Sequence, residues 1–538
     1  MLIAAAIRWP LLQQVPRLTD ETQDMQFAFK IARGVALPII SPDLYNGPLV
    51  HYFMALGFRL GGGLSWPRIM ALVFGVLTVG LTYGLARSLC LLYLDSRGST
   101  VVVPTIAALT EAVRTFPTPA PPVPISASPQ LAALIAAGLM AVGFVPVVIN
   151  SHIAWSNATT PFWTTAFLWM LAETVRRNRP ALLLAVGLLA GLAQQTHPAA
   201  LAILIGGGLW LAICRPNWLR TRWPWLALAV ALAAVGNLIV FNLASSGGAL
   251  AQASSERGYA FTGGSGWAEY AVNLRGFARL AYQSTGSTFL ATLSEEADPE
   301  ALRTTLLAPG ALLYGLVALV AVAYCARRRQ GALPAMCWLA AALVLPLFNR
   351  AYNHFIHARY VAALLPPTFA AVGVLAAQLW GPKPTPDRRG RKLIRVAVGI
   401  VAVVLLAYPL TRLDAFYRRE LAEGRTNARL WQLEAALKRL GTDANPIRLD
   451  RELRNTRLTA GGNVLLALDA LLDLNGTPHE KPRSGALPDL PTGAMVVLGD
   501  RTRDELSSRL ALEAVDIGAP PEAAAPGSYW LYRVMGKK

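Results

Sequence analysis

WPRIMALVFGVLTVGLTYGLA, residues 66–86, is nearly free of charge and stays apolar to about residue 94. At 1.5 Å per helical residue it is long enough to cross the roughly 30 Å of hydrocarbon in a bilayer. Comparable runs stand at 1–15 (short), 131–149, 161–175, 181–196, 199–214, 224–242, 309–326, 332–348, 360–380 and 394–409. With a mean hydropathy of +0.42 and 15% charged residues over 538 positions, the chain is too apolar for an ordinary soluble enzyme. The expected fold is mainly α, a polytopic transmembrane helical domain of about eleven spans over 1–409, followed by a small α/β domain over 410–538.

The net charge of +18 would suggest a nucleic-acid surface in a soluble protein. Alternating spans instead send eighteen Lys/Arg, among them Arg327 to Arg329 and Arg388, Arg389, Arg391, Lys392 and Arg395, to one side against four acidic residues. That side holds +14 of the net +18. Such a bias marks it as cytoplasmic and makes a nucleic-acid partner unnecessary. All six histidines and the tail then fall on the outer side, periplasmic or extracellular, of a plasma membrane. The four cysteines lie in or at the cytoplasmic ends of spans, so no disulfide framework is expected.

Three regions interrupt the helices. Residues 98–129 are rich in Pro and small residues and read as an extended cytoplasmic insertion without chemistry. Residues 243–308 are too polar to span and read as an outer loop, either a cover for a substrate site or a mobile surface loop. Beyond 410 the composition turns soluble. ARLWQLEAALKRL, NVLLALDALLDL and RDELSSRLALEA read as helices, and PIRLD, AMVVLGD and SYWLYRVM as strands.

Polar chemistry gathers on the outer face. TDETQD, Thr19 to Asp24, places three carboxylates at the mouth of the membrane domain. There they are hydrated enough to ionise and close enough to a lipid-borne substrate to accept its proton, although a plainly solvated loop has the same composition. The same loop continues through FAFKIARG, with Lys30 and Arg33 read as membrane-surface residues in preference to phosphate contacts, to SPDLYNGPLVHY, which carries Asp43, Tyr45 and His51. Later outer turns hold His152, His197 and NHFIHARY, with His354, His357, Arg359 and Tyr360.

An acidic pair after a short first span, an amphipathic helix, a Tyr-x-x-Pro-Leu turn and the long run at 66 together resemble the polyprenyl-phosphate-sugar transferases of the GT-C fold. The likeness is to the dolichyl-phosphate-mannose protein mannosyltransferase family and the bacterial aminoarabinose (lipid A) transferases. IAWSNATTPFWTTAFLWMLAE, QQTHPAALAIL and HFIHARYVAALLPP continue it in order over roughly residues 1–380. Two features depart from it: Asn157 stands where many relatives are acidic, and the short first span contains Arg8.

The resemblance implies an inverting transfer on the outer face, from a sugar on a polyprenyl monophosphate to an acceptor lipid, glycan or protein. Asp20 matches the family's catalytic position as general base, and Glu21 is the second choice. Arg359 and Tyr360 suit the departing phosphate, since guanidinium offers two parallel donors, while an interfacial anchor is the plainer role for both. Asp43, Tyr45, His51, His152, His197 and His357 are expected to contact substrate, with loop backbone the other partner open to His51, His152 and His197. No cofactor is certain; a divalent metal on His354 and His357 with the acidic loop stays open, because no ligand set is complete. Sugar and acceptor are not legible. The rival classes are a polytopic transporter or lipid flippase, which would more often show a repeated half and mid-span charges, and a non-catalytic membrane relative.

Overall fold

A computed structural model describes residues 1–10, 12, 19–63, 65–98, 128–248, 266–285, 308–348, 358–381, 388–422, 433, 436, 446–454, 464–474, 476–480, 490–515 and 529–538. Each of the eleven apolar runs carries helix, the first over α1 (Leu2–Arg8) among its described residues. After it come α2 (Thr19–Ala32), α3 (Leu49–Arg59), α4 (Trp66–Gly98), α5 (Pro129–Val142), α6 (Phe144–Ser151), α7 (Thr160–Arg177), α8 (Leu183–Thr196) and α9 (Ala200–Cys214). Then follow α10 (Arg222–Ala234), α11 (Gly236–Ala244), α12 (Gly266–Thr285), α13 (Pro309–Ala326), α14 (Leu333–Phe348), α15 (Ala358–Val361), α16 (Leu365–Trp380) and α17 (Arg388–Ala422). The Pro-rich insertion and most of the 243–308 loop lie outside the described residues, although α12 forms within that loop.

Among the described residues four helical stretches are long and apolar enough to cross a membrane: Trp66–Asp95, Pro309–Ala326, Arg359–Trp380 and Lys392–Arg418. Two helix pairs pass the same test only together and are bent at a short break, α5/α6 by 57° and α10/α11 by 61°, while α8, α9 and α14 are apolar but shorter. Small residues let these helices meet backbone to backbone, the usual means of helix association where lipid removes the hydrophobic drive. Gly373 on α16 lies so close to α5 that a Cβ there would stand 2.1 Å from the Ala132 carbonyl, and Gly187 on α8 is equally tight against Ala227 of α10. As a result α16 is the central span, with 89% of its apolar window buried, whereas α17 lies on the outside with 11%.

Arg8 explains the short first helix. Its fully buried guanidinium donates through Nη1 to the Ala141 carbonyl (2.6 Å) and through Nη2 to Met140 (2.9 Å), and its Nε donates to Ser151 Oγ (3.0 Å). Those carbonyls end α5, where the helix has no partners of its own for them. α1 is thus a plug that caps the break in a neighbouring span.

The C-terminal region holds α18 (Val464–Leu474), α19 (Asp500–Ser507) and five strands: β1 (Ile447–Leu449), β2 (His479–Glu480), β3 (Met495–Gly499), β4 (Leu510–Ala514) and β5 (Tyr529–Lys537). They form one sheet in the order β2-β1-β3-β5-β4, parallel across β2, β1 and β3 and antiparallel at β5 and β4. RDELSSRLALEA is not one helix as expected. α19 stops at Ser507, Ser508 Oγ turns back to the Glu505 carbonyl, and Leu510–Ala514 becomes an edge strand on β5. Strand pairing outweighs the helical propensity of Leu, Ala and Glu there. Of ARLWQLEAALKRL only Leu433 and Ala436 are described, both buried in the core with Leu449, Leu468 and Leu531. α17 runs unbroken through residue 410 to Ala422, and α18 packs along α2, where Gln26 donates to Asp473.

Candidate active site

The two halves of α2 are fixed by different partners. Glu21 is fully buried and takes both arms of the Arg68 fork, Nε at 2.7 Å and Nη2 at 2.8 Å. Arg68 comes from the first turn of α4 and also donates to the Leu12 carbonyl (2.8 Å), while the Ala154 amide donates to Glu21 (3.2 Å). Sequence reading left Arg68 unassigned: its partner lies 47 residues away. Asp24, one turn on, accepts from His51 Nε2 (2.8 Å) and from the Ser156 amide (2.8 Å). His51 is delivered by α3, which starts after Pro48 because that proline sets the turn into the helix. Asp20 belongs to the first turn of α2, and its side chain lies outside the described residues.

The carboxylates therefore hold the segment 153–157 by its backbone amides, before a 3-10 turn (Ser156–Thr159) opens α7. Against it rests the Pro- and Gly-broken loop. Asn46 Nδ2 donates to Asp43 Oδ2 (3.3 Å) and Ser156 Oγ (3.5 Å), and the Gly47 amide donates to the Gln195 carbonyl (2.9 Å) at the end of α8. Gly47 has no room for a side chain, since a Cβ would overlap Gln195. Asn237, beside the α10/α11 break, donates to the Ile39 carbonyl (2.7 Å) and ties the same loop down from the other side.

Rings and one cation line the neighbouring wall. Tyr45 stands edge-on to His197 with centroids 6.3 Å apart, and His197 leans on Tyr360 at 5.0 Å. Arg359 lies 4.5 Å over the Trp155 ring and 5.1 Å over Tyr360, and donates to the Tyr360 hydroxyl (3.3 Å). His197 Nδ1 accepts the Ala199 amide (3.0 Å), which assigns the proton of the neutral ring to Nε2. A guanidinium between two aromatic faces keeps its charge while its position is fixed. Trp155, which the sequence did not single out, supplies one of those faces.

Glu21, Asp43, Tyr45, His51, His197, Arg359 and Tyr360 thus come from distant stretches to one connected neighbourhood. His152 bonds backbone, the second of its two expected partners, and nothing in this geometry offers it to a substrate. It is buried, with Nδ1 on the Val147 carbonyl (2.9 Å) and Nε2 facing the Pro10 carbonyl (3.1 Å) and the Tyr417 hydroxyl (2.9 Å), so its ring clamps α6, the chain after α1 and α17 together. His354 and His357 lie outside the described residues. Lys30 and Arg33 are exposed, as expected of surface residues. Among the described residues no group of three His, Cys, Asp or Glu gathers as a metal centre.

Several buried polar atoms here have no partner among the described residues: Ser41 Oγ, Asn46 Oδ1, His51 Nδ1, Trp155 Nε1 and Asn157 Oδ1. More than nine in ten buried polar groups in folded proteins are paired, so such a cluster marks a place suited to a polar ligand.

The comparisons agree with this architecture. The chain superposes on ArnT of Cupriavidus metallidurans bound to undecaprenyl phosphate with a TM-score of 0.56 at 13% identity, covering 99% of this chain and 96% of that one. The apo form of the same protein gives 0.54 at 12%, with the same coverage. An oligosaccharyltransferase of Archaeoglobus fulgidus, tethered to an acceptor peptide, gives only 0.42 at 14%, over 77% of this chain and 54% of that one, and carries no weight. The protein is a multi-pass membrane protein with the GT-C fold. Within it, residues 127–240 match the sequence profile of the dolichyl-phosphate-mannose-protein mannosyltransferases. No curated protein matches the sequence.

Proposed function

We propose that this protein is a membrane glycosyltransferase that moves a sugar from a polyprenyl-phosphate carrier to an acceptor on the outer face, with inversion at the anomeric carbon. The observation that carries the reading is the segment 153–157, whose Ala154 and Ser156 amides bond Glu21 and Asp24 and whose Trp155 ring faces Arg359, inside a fold similar over 99% of the chain to that of ArnT solved with undecaprenyl phosphate. Asp20 takes the proton of the acceptor hydroxyl as its oxygen attacks the anomeric carbon. The bond from that carbon to the phosphate oxygen breaks, and its electron pair leaves with the phosphate. Arg359 pairs with the growing negative charge, and the Tyr360 hydroxyl adds a donor. Phosphate is already a good leaving group, so a strong general acid is not required.

Glu21 serves this site from behind. Protonating it would strand a buried Arg68, so its part is to hold α2 in place rather than to move a proton. Asp43, Tyr45, His51 and His197 offer bonds to sugar hydroxyls. The acceptor is a lipid, a glycan or a protein, and the sugar is set by the loops around these residues. A divalent metal, if the reaction uses one, would draw on the acidic loop together with His354 and His357.

Transfer from a radiolabelled lipid-linked sugar by purified protein in proteoliposomes tests the reading. Labelled acceptor supports it; movement of the lipid across the bilayer without transfer would make the protein a flippase. Sidedness has its own test. A cysteine at Ser508, exposed in the C-terminal domain, is expected to react with an impermeant thiol reagent on cells or spheroplasts, and one at Arg329 is not. Labelling at Arg329 alone inverts the topology.

A further inference from the structure

Arg359 and Trp380 end the same 22-residue span, so they stand about 30 Å apart at 1.5 Å per residue. Trp380 therefore lies at the membrane face away from the candidate active site. There α17 leans on α16: Arg395 Nε donates to the Trp380 carbonyl (2.9 Å), and the Gly399 backbone faces the indole, with room for a Cβ 3.7 Å from Cζ3. Between them runs a groove of about 690 Å³. Lys392 and Arg395 stand at its head, and its wall continues along α17 through Val396, Gly399, Ile400 and Val403.

Those positions follow one another at three- and four-residue steps, so the groove is a single helix stripe that is cationic at one end and apolar below. Lys392 and Arg395 are exposed, and neither has a carboxylate partner among the described residues. From Arg395 to the last lining residue, Val404, is about 14 Å of helix, close to one leaflet of a bilayer with roughly 30 Å of hydrocarbon. Trp380 has the place of an interfacial aromatic. Arg395 has one nitrogen committed to the Trp380 carbonyl, which fixes the guanidinium and leaves its terminal nitrogens for an anion.

We propose that this groove binds one anionic glycerophospholipid, its phosphate on Lys392 and Arg395 and one acyl chain along Val396, Ile400 and Val403 against Trp380. A polyprenyl phosphate is the poorer occupant, because the groove is one leaflet deep and opens on the face opposite the candidate active site. The proposal does not depend on the glycosyltransferase reading.

The test is native mass spectrometry of the full chain released from nanodiscs containing phosphatidylglycerol and phosphatidylcholine in equal amounts. Wild type is expected to retain one phosphatidylglycerol in preference to phosphatidylcholine. Lys392→Gln with Arg395→Gln should weaken that retention about 30-fold, each cation near an anionic surface contributing roughly fivefold. Gly399→Leu keeps both charges, fills the groove and should lose the lipid as well, with the thermal midpoint of the protein unchanged. Arg501→Gln with Arg509→Gln, exposed on the C-terminal domain, should leave retention at the wild-type level. Equal retention of the two lipids, full retention by either groove variant, or, in nanodiscs with undecaprenyl phosphate added in equal amount, preference for it over phosphatidylglycerol would each overturn the proposal.

Discussion

Glu21 and Asp24 sit one turn apart on α2 and meet opposite surroundings. Glu21 has no exposed surface and gives both oxygens to Arg68, whereas the Asp24 side chain is 10% exposed and bonds one histidine whose Nδ1 has no partner among the described residues. The difference teaches what a buried carboxylate can be used for. A sealed bidentate pair is worth little net stability but is costly to break, since the survivor is left charged in a dry place. A carboxylate near open polar groups can exchange partners with a ligand. One short helix thus carries both a sealed anchor and a carboxylate beside unpaired polar atoms, and Asp20 stands one turn before the latter.

Four measurements bear on this contrast. The largest effect is expected from Asp20→Asn, which should slow single-turnover transfer by on the order of 10² to 10⁴, the usual contribution of general base catalysis, with donor affinity retained. Turnover at the wild-type rate would remove Asp20 from the reaction. Next comes Arg68→Ala, which should destabilise the protein by about 3–5 kcal/mol by leaving Glu21 unpaired, read as a lowered thermal midpoint in detergent. Adding Glu21→Leu should recover part of that loss; a double variant less stable than Arg68→Ala would show that Glu21 does more than balance Arg68.

Arg359→Lys keeps the charge but loses the planar fork, so donor binding should weaken by about tenfold, and further in Arg359→Ala, as expected for charge-assisted hydrogen bonds. Equal affinity in all three proteins would leave Arg359 as an anchor on Trp155. The smallest effect concerns His479, whose Nε2 bonds Asp469 (2.8 Å). That carboxylate raises the imidazole above its ordinary 6.5. The sign follows from linkage: the stabilisation is complete below the unfolded value and fades as pH rises through the higher folded one. Thermal midpoints should fall on that rise in the wild type and fall less in Asp469→Asn, while identical pH profiles would detach His479 from stability.

Much of the membrane architecture was legible because lipid permits few backbone solutions, and long apolar runs declare themselves one at a time. The α/β character of the tail was legible for the same local reason. What escaped was whatever depends on two distant stretches. Arg8 looked like a flaw in a span until the carbonyls of Met140 and Ala141 came beside it. Arg68 lay in a run read only for its apolar length, and no local signal links it to Glu21. His152 and Trp155, three residues apart, exchanged the importance that residue type alone suggested: the histidine became a clamp and the tryptophan a wall for Arg359. Leu510–Ala514 shows a similar limit on a smaller scale, because only the presence of β5 makes that segment a strand.

The bridge from Gln26 to Asp473 joins residues 447 positions apart. During synthesis at about 5–20 residues per second, α2 would leave the ribosome roughly 20 to 90 s before α18 exists to cover it. For that interval the helix bearing the carboxylates has its other supports, Arg68 and later Ala154, but not its neighbour α18. Maturation is thus ordered in time: the inner face of α2 is secured early by nearby sequence, and its outer face only when the last fifth of the protein has been made.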